Sequence, residues 1–289
     1  MACRFGLFTD AHYSDREPSR GRWYGDSIEK LRAMASAIAA EPLDFVIELG
    51  DLVDARPGAV AEARAVSGAA DPVVEDLEAI ASEYSRLHGE RHHVLGNHDV
   101  GHLTKADFRA HTGAREAPYA FSRGAVRFVV LDACFLSDGR AYGEAPVDWA
   151  DSFVPRDQLR WLERELLEDR EEACIGTVVF VLQRLDASSE YAVRNAADVR
   201  RVLEEAPGPC LVLQGHAHLS AVREIGSVTY VTFQAMVDGP GPENAAFAIV
   251  EIDATFRVRI QGQGRQPSHD LDLSRRIPST RVDADRRSS

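Results

Sequence analysis

The sequence predicts one large α/β domain, and three observations carry that expectation. Short apolar runs of strand length alternate with segments of helical period as far as Leu213. Beyond His218 the texture changes to β-branched and aromatic runs with few helical stretches. A chain of 289 residues buries a substantial core, and it suits one domain better than two small ones.

The elements follow in order. Phe5 to Thr9 is the first expected strand, and Asp26 to Ala40 carries Ile28, Leu31, Met34, Ala35 and Ile38 at helical spacing. With Phe45 to Leu49 as the next strand, this is a β-α-β unit. Pro72 to Leu87 reads as a helix, His93 to Leu95 and Val126 to Leu131 as strands, and Arg156 to Leu167 as a helix. Val178 to Leu182, then a helix over Asn195 to Glu205, then Cys210 to Leu213 continue the alternation. The strand runs are bounded by Gly or polar residues, the pattern of strands covered on both faces. Between them, Phe135 to Pro155 contains Gly139, Tyr142, Gly143, Pro146 and Trp149 and reads as a loop insertion of the kind that often forms a lid. Val228 to Phe233, Ala246 to Ile252 and Phe256 to Ile260 are expected to form an antiparallel set completing a second sheet. From Gln266 to Ser289 the residues are mostly charged, Ser or Pro, so the domain is expected over 1–265 and a surface tail or strap over 266–289.

Charge excludes some functions. A formal net charge of −13 argues against a nucleic-acid polymer or an anionic membrane as partner, because both require a cationic face. No apolar stretch approaches the ~20 residues needed to span a bilayer. The segment Met1 to Asp10 is too short in its apolar part for a signal peptide, and a cytoplasmic location is expected. Cys3, Cys134, Cys174 and Cys210 lie far apart and read as buried free thiols. Nothing in the sequence speaks to oligomeric state.

Four motifs each follow an apolar run: Asp10-Ala11-His12, Gly50-Asp51-Leu52-Val53-Asp54, Gly96-Asn97-His98-Asp99 and Gly215-His216-Ala217-His218. At strand ends their loops converge, and their Asp, His and Asn side chains are the oxygen and nitrogen donors that hold Mn²⁺, Fe or Zn²⁺. Asn97 offers an amide oxygen, His98 a proton donor, and Asp99 a partner that fixes the imidazole tautomer. Each motif alone has an ordinary explanation as a turn, a cap or a surface pair. Together and in order they point to a two-metal centre that cleaves phosphoesters.

On these residues the chain resembles the calcineurin-like metallophosphoesterases over roughly Phe5 to Gly264. Within that superfamily it resembles the manganese-dependent ADP-ribose/CDP-alcohol diphosphatase group, through Asp10 to Asp15, Arg22-Trp23-Tyr24-Gly25-Asp26-Ser27, Leu49-Gly50-Asp51, His92 to His98 and Gly262-Gln263-Gly264-Arg265. The resemblance implies a four-layer αββα sandwich of two mixed sheets flanked by helices, with two divalent metal ions (Mn, Fe or Zn). It implies that Asp10, His12 and His218 hold one metal, that Asp51 bridges, and that Asn97 and His216 hold the other. A metal-bound hydroxide would attack phosphorus, with catalytic His98 assisting the leaving group and Asp99 orienting it.

One position departs from the pattern. The family carries a metal-binding His after the strand that here is Val178 to Leu182, and this chain has Gln183-Arg184-Leu185-Asp186. An amide oxygen is a weaker donor than imidazole for these metals, so the second site is expected to be weak or empty. Gln183 is then a weak ligand in a two-metal enzyme, the mark of a one-metal enzyme, or an inactivating change. Arg184 meets a phosphate oxygen or stays at the surface, and Arg22, Tyr24 and Tyr13 clamp the substrate or simply pack a loop. The expected function is a metal-dependent phosphohydrolase acting on a small phosphomonoester, phosphodiester or nucleoside-diphosphate-type substrate. The alternative is a remodelled metalloprotein on the same fold: a one-metal or iron enzyme of non-hydrolytic chemistry, or a phosphate-ligand binder.

Overall fold

The structure, a computed structural model, describes residues 3–55, 71–144, 148–167 and 174–274. Its twelve described strands are β1 (Cys3–Phe8), β2 (Phe45–Glu48), β3 (Glu90–His93), β4 (Tyr119–Arg123), β5 (Val126–Val130), β6 (Gly176–Phe180), β7 (Cys210–Gln214), β8 (Ala221–Ile225), β9 (Val228–Thr232), β10 (Phe247–Ile252), β11 (Arg257–Gln263) and β12 (His269–Asp272). They form two six-stranded sheets, ordered β12-β11-β10-β1-β2-β3 and β4-β5-β6-β7-β9-β8. Both are mixed: β1, β2 and β3 run parallel while β10 joins β1 antiparallel, and β5, β6, β7 and β9 run parallel between antiparallel edges.

Alternating burial builds the layers. Phe5, Leu7, Phe45 and Ile47 of the first sheet meet Phe128, Val130, Phe180 and Leu213 of the second in one apolar slab. The opposite face of the first sheet, with Phe8, Val46 and Ile249, is covered by Leu31, Met34 and Ile38 of the helix Ser27–Ile38 and by Leu77, Ile80 and Tyr84 of the helix Pro72–Ser85. The outer face of the second sheet, with Val129, Val179 and Val212, is covered by Leu162 and Leu166 of the helix Arg156–Leu167 and by Val199, Val202 and Leu203 of the helix Ala196–Glu204. This is the four-layer αββα sandwich.

Several elements differ from the sequence reading. β3 occupies Glu90–His93 rather than His93 to Leu95, because an edge strand leaves Glu90 and Arg91 exposed and only its two histidines face inward. The helix Lys105–Thr112 buries only Phe108 and shows no apolar period; its signals are a capping box between Thr104 and Asp107 and a left-handed Gly113. β4 and β8 are edge strands too polar to stand out. β12 lies inside the segment expected as a surface tail or strap, where it is zipped along β11 with Leu273 buried beyond it, whereas residues 275–289 lie outside the described residues. In the segment 135–155, Tyr142 is buried and its hydroxyl donates to the Asp148 carbonyl, so its described part packs onto the domain.

The two strand histidines are core residues. His92 stacks on Phe121 with ring centroids 4.0 Å apart, and His93 meets Tyr84 edge-on at 4.8 Å. Burial, helped by His92 and Arg91, pushes the His93 imidazole from 6.5 down to about 3. The unfolded chain therefore takes up a proton that the folded one refuses. This contribution to stability is complete above the unfolded pKa and is lost as pH falls through it toward the folded value. His93 is expected to make folding about 2 kcal/mol less favourable at pH 5 than at pH 7. Urea unfolding at both pH values should show a shallower pH dependence in His93→Gln than in the unsubstituted protein, and equal slopes would contradict this account.

Candidate metal centre

The parallel strands deliver all four motifs to one edge, where the backbone turns sharply. Asp10, His12, Asp51, His216 and His218 have φ of 53°, 44°, 57°, 69° and 50°, the left-handed region that ordinary residues avoid. Such strain costs about 1 kcal/mol or more per residue and concentrates at functional sites. Arg20 and Phe256 are the other non-glycine residues of this kind among the described ones. The turns are also in close contact. A Cβ on Gly96 would overlap the Asp51 nitrogen and carboxylate, and one on Gly215 would overlap Thr9 Oγ1, so glycine is required at both.

The converging atoms leave room for positive charge. Asp10 Oδ2 accepts from the Thr9 hydroxyl (2.7 Å) and the His216 N–H (2.9 Å). Its other oxygen, Oδ1, has no hydrogen-bond partner and lies 3.5 Å from His12 Nε2 and 3.4 Å from His218 Nε2. Those two nitrogens are themselves 3.1 Å apart. Asp238 Oδ1 sits 3.2 Å from His218 Nδ1, and Asp54 Oδ2 lies 3.6 Å from His12 Nδ1. At 3.1 Å the two Nε2 atoms share either a proton or a cation. Asp51 Oδ1 accepts from the His98 N–H at 2.8 Å, while Oδ2 lies between His12 Nε2 (3.7 Å) and His216 Nδ1 (3.8 Å), the position of a bridge. Asn97 Oδ1 and Gln183 Oε1 are likewise buried without a hydrogen-bond partner. Buried orphan acceptors are costly, and a divalent ion satisfies them. The donor set therefore fits two ions.

The electrostatics agree. Burial disfavours the Asp10 charge, yet the neighbouring His12 and His218 overcome it and hold the carboxyl well below its usual range. Burial likewise opposes charge on His98, but Asp51 and Asp54 outweigh it and draw the imidazole up to about 9.

The structure corrects two expectations. Asp99 does not orient His98: its carboxylate accepts from the backbone N–H groups of Asp51 (2.9 Å), Leu52 (2.8 Å), Val53 (3.1 Å) and Gly96 (2.9 Å). The partner of His98 Nδ1 is Asp54 Oδ1 at 2.9 Å, and Arg16 holds the other Asp54 oxygen at 2.6 Å. A side chain at i+1 faces away from its neighbour, whereas the second Asp of Gly50-Asp51-x-x-Asp54 comes back to the same edge. Arg184 is neither at the surface nor open to phosphate, because it makes a buried two-point pair with Asp186, both contacts 2.9 Å.

A cavity of about 660 Å³ opens beside the centre, with Arg16, Arg20, Arg22, Tyr24, Tyr191 and His218 in its wall. Arg22 and Tyr24 thus lie where the sequence reading put them; Tyr13 instead bridges to Val53 and packs on the helical side of the first sheet. Trp149 and Tyr191, 41% and 38% exposed, pair at 5.5 Å and turn their rings toward His216 at 6.0 and 5.6 Å. The sequence reading missed these two, and it missed Asp238. Asp238 precedes a Gly-Pro-Gly turn, a weak signal, and its loop is gripped by Lys30, whose buried Nζ donates to the carbonyls of Met236, Val237, Asp238 and Gly239.

The sequence model of the family described as Calcineurin-like phosphoesterase matches residues 3–220. The fold is similar to a dimetal phosphatase from Danio rerio (TM-score 0.77, 20% identity, covering 94% of this chain and 99% of that one). It is similar to the purple acid phosphatase PPD1 from yellow lupin seeds (TM-score 0.58, 12% identity, 93% of this chain and 52% of that one). It is also similar to GAP50, the anchor in the inner membrane complex of Plasmodium (TM-score 0.57, 15% identity, 94% and 89%). A search of the curated proteins returned no match. No described helix is long and apolar enough to cross a membrane.

Asp51→Asn is expected to remove bound divalent metal while leaving the far-ultraviolet circular dichroism unchanged, since a neutral amide cannot balance two cations. Metal analysis of the purified variant checks this, and full metal content would remove Asp51 from the bridge.

Proposed function

Because the chain belongs to the calcineurin-like phosphoesterase family, we propose that it hydrolyses a small phosphomonoester, phosphodiester or nucleoside-diphosphate-type substrate at a two-metal centre. The observation that carries this reading is the convergence of Asp10 Oδ1, His12 Nε2 and His218 Nε2 within 3.5 Å of one another, beside a second group of orphan acceptors. In this reading Asp10, His12 and His218 hold one ion, Asn97, Gln183 and His216 the other, and Asp51 both. When bound, such ions supply Lewis-acid charge to the phosphoryl oxygens and a nucleophile at neutral pH.

The protein's own groups do the rest. His98 keeps Nδ1 on Asp54, which leaves Nε2 to give a proton to the leaving oxygen. Arg16 holds Asp54 in place, so the dyad is oriented before substrate arrives. Arg20 and Arg22 have no carboxylate partner among the described residues, and the charge of Arg22 is felt at both His98 and His218; the pair suits an anionic substrate group outside the centre. Trp149 and Tyr191, tilted 45° to each other beside His216, offer aromatic faces that suit a nucleoside-type leaving group.

The rival reading, a one-metal protein of other chemistry or a phosphate binder on this scaffold, rests on Gln183. Two ions per chain with hydrolysis of p-nitrophenyl esters favour the hydrolase, and one ion without hydrolysis favours the rival.

His98→Ala is expected to lower kcat by ~10²-fold or more with metal content unchanged. Loss of an ion would make His98 a ligand, and an unchanged rate on a poor leaving group would remove it from the proton transfer. Trp149→Ala is expected to raise KM roughly tenfold for a nucleoside-type ester while leaving a small alkyl phosphate unaffected. Equal changes for both substrates would remove the aromatic pair from recognition.

A further inference from the structure

Gln183 is fixed rather than loose. It is fully buried, and its Nε2 lies 3.6 Å from Cys134 Sγ, while that thiol donates to the Leu95 carbonyl at 3.4 Å. With its own hydrogen committed to Leu95, the sulfur acts toward Gln183 as an acceptor, which sets the amide with its nitrogen on Cys134 and its oxygen away from the thiol. Gln183 Oε1 is accordingly buried with no hydrogen-bond partner, as is Asn97 Oδ1. The two halves of the centre then differ in chemistry. Asp10, His12, His218 and Asp51 offer two imidazoles and two carboxylates, whereas Asp51, Asn97, Gln183 and His216 offer one imidazole and three oxygen donors.

Resting on the metal-centre reading above, we propose that Gln183, set by Cys134, makes the second site an oxygen-rich one that favours a hard divalent ion such as Mn²⁺, so that the two sites load different metals. Imidazole suits Zn²⁺ and Fe²⁺, and carboxylate and amide oxygens suit Mn²⁺ and Mg²⁺. Exchange of His for Gln thus changes selectivity, not merely strength. Cys134 is a positioning residue, acting through the amide it orients.

The experiment starts from full-length protein loaded with Zn²⁺ and dialysed against excess Mn²⁺, with both metals counted and the Mn²⁺ spectrum recorded by electron paramagnetic resonance. The expected result is one Zn²⁺ retained and one Mn²⁺ gained per chain. Gln183→His is expected to cut Mn²⁺ uptake by ~10-fold or more under the same conditions. Cys134→Ala is expected to weaken Mn²⁺ binding ~10-fold while the retained Zn²⁺ stays, and Cys134→Ser, whose hydroxyl can donate to Leu95 and accept from Gln183, is expected to restore it. Two Zn²⁺ retained in the unsubstituted protein, or Mn²⁺ uptake unaltered by Gln183→His, overturns the inference and leaves the hydrolase reading standing. A chain that binds neither ion overturns the metal-centre reading and this inference with it.

Discussion

The centre depends on one carboxylate that touches no substrate. Asp99 gathers four backbone N–H groups from two different turns, three after β2 and one after β3. It pulls the Asp51 turn against Gly96 so closely that no Cβ fits between them. Without that staple the left-handed Asp51 would relax toward ordinary backbone and its carboxylate would leave its place between His12 and His216. Four backbone N–H groups gathered on one carboxyl group let a single side chain offset strain in several residues, even though burial and the neighbouring Asp51 push that carboxyl up to about 8.

Charge is the second constraint. Asp10, Asp51 and Asp54 are buried within reach of His12, His98, His216 and His218, and Arg16 is the one full cation in direct contact with them among the described residues. Buried anions without enough positive charge are unstable, and here neighbouring imidazoles are drawn toward protonation instead. Divalent ions relieve the same imbalance more fully.

Much of this was legible in the sequence. The buried parallel strands are continuous apolar runs, and the motifs stand directly after them, so the α/β alternation and the converging edge follow from period and spacing. The four-layer sandwich comes instead from the family resemblance. The late strands, expected as one antiparallel set, divide between the sheets, with β9 parallel to β7 and with β10 and β11 beside β1. What was hidden has physical reasons. Glu90 and Arg91 mask β3 because an edge strand faces solvent, and Lys105–Thr112 rests on its caps rather than on an apolar stripe. Adjacency misled in the case of Asp99, since the neighbour in sequence staples backbone while Asp54, far off in sequence, reaches the imidazole. Arg184 is bound to a partner two residues on, and spacing along the chain does not say whether two such side chains close on each other. Trp149 and Tyr191 lie in loops, where no periodicity marks a residue as meaningful.

Lys30 has a consequence for how the molecule is assembled. Its ammonium ties the first helix to carbonyls of residues 236–239, and β1 pairs on one side with β10, both beyond the last candidate ligand in the chain. Every candidate ligand lies at or before His218, yet a chain that stops there lacks the carbonyls that cage Lys30, the Asp238 that aligns His218 and the neighbour strand of β1. During synthesis the ligands emerge from the ribosome well before the scaffold that aims them. A chain cut short of these residues presents its histidines and carboxylates without the scaffold that aligns them.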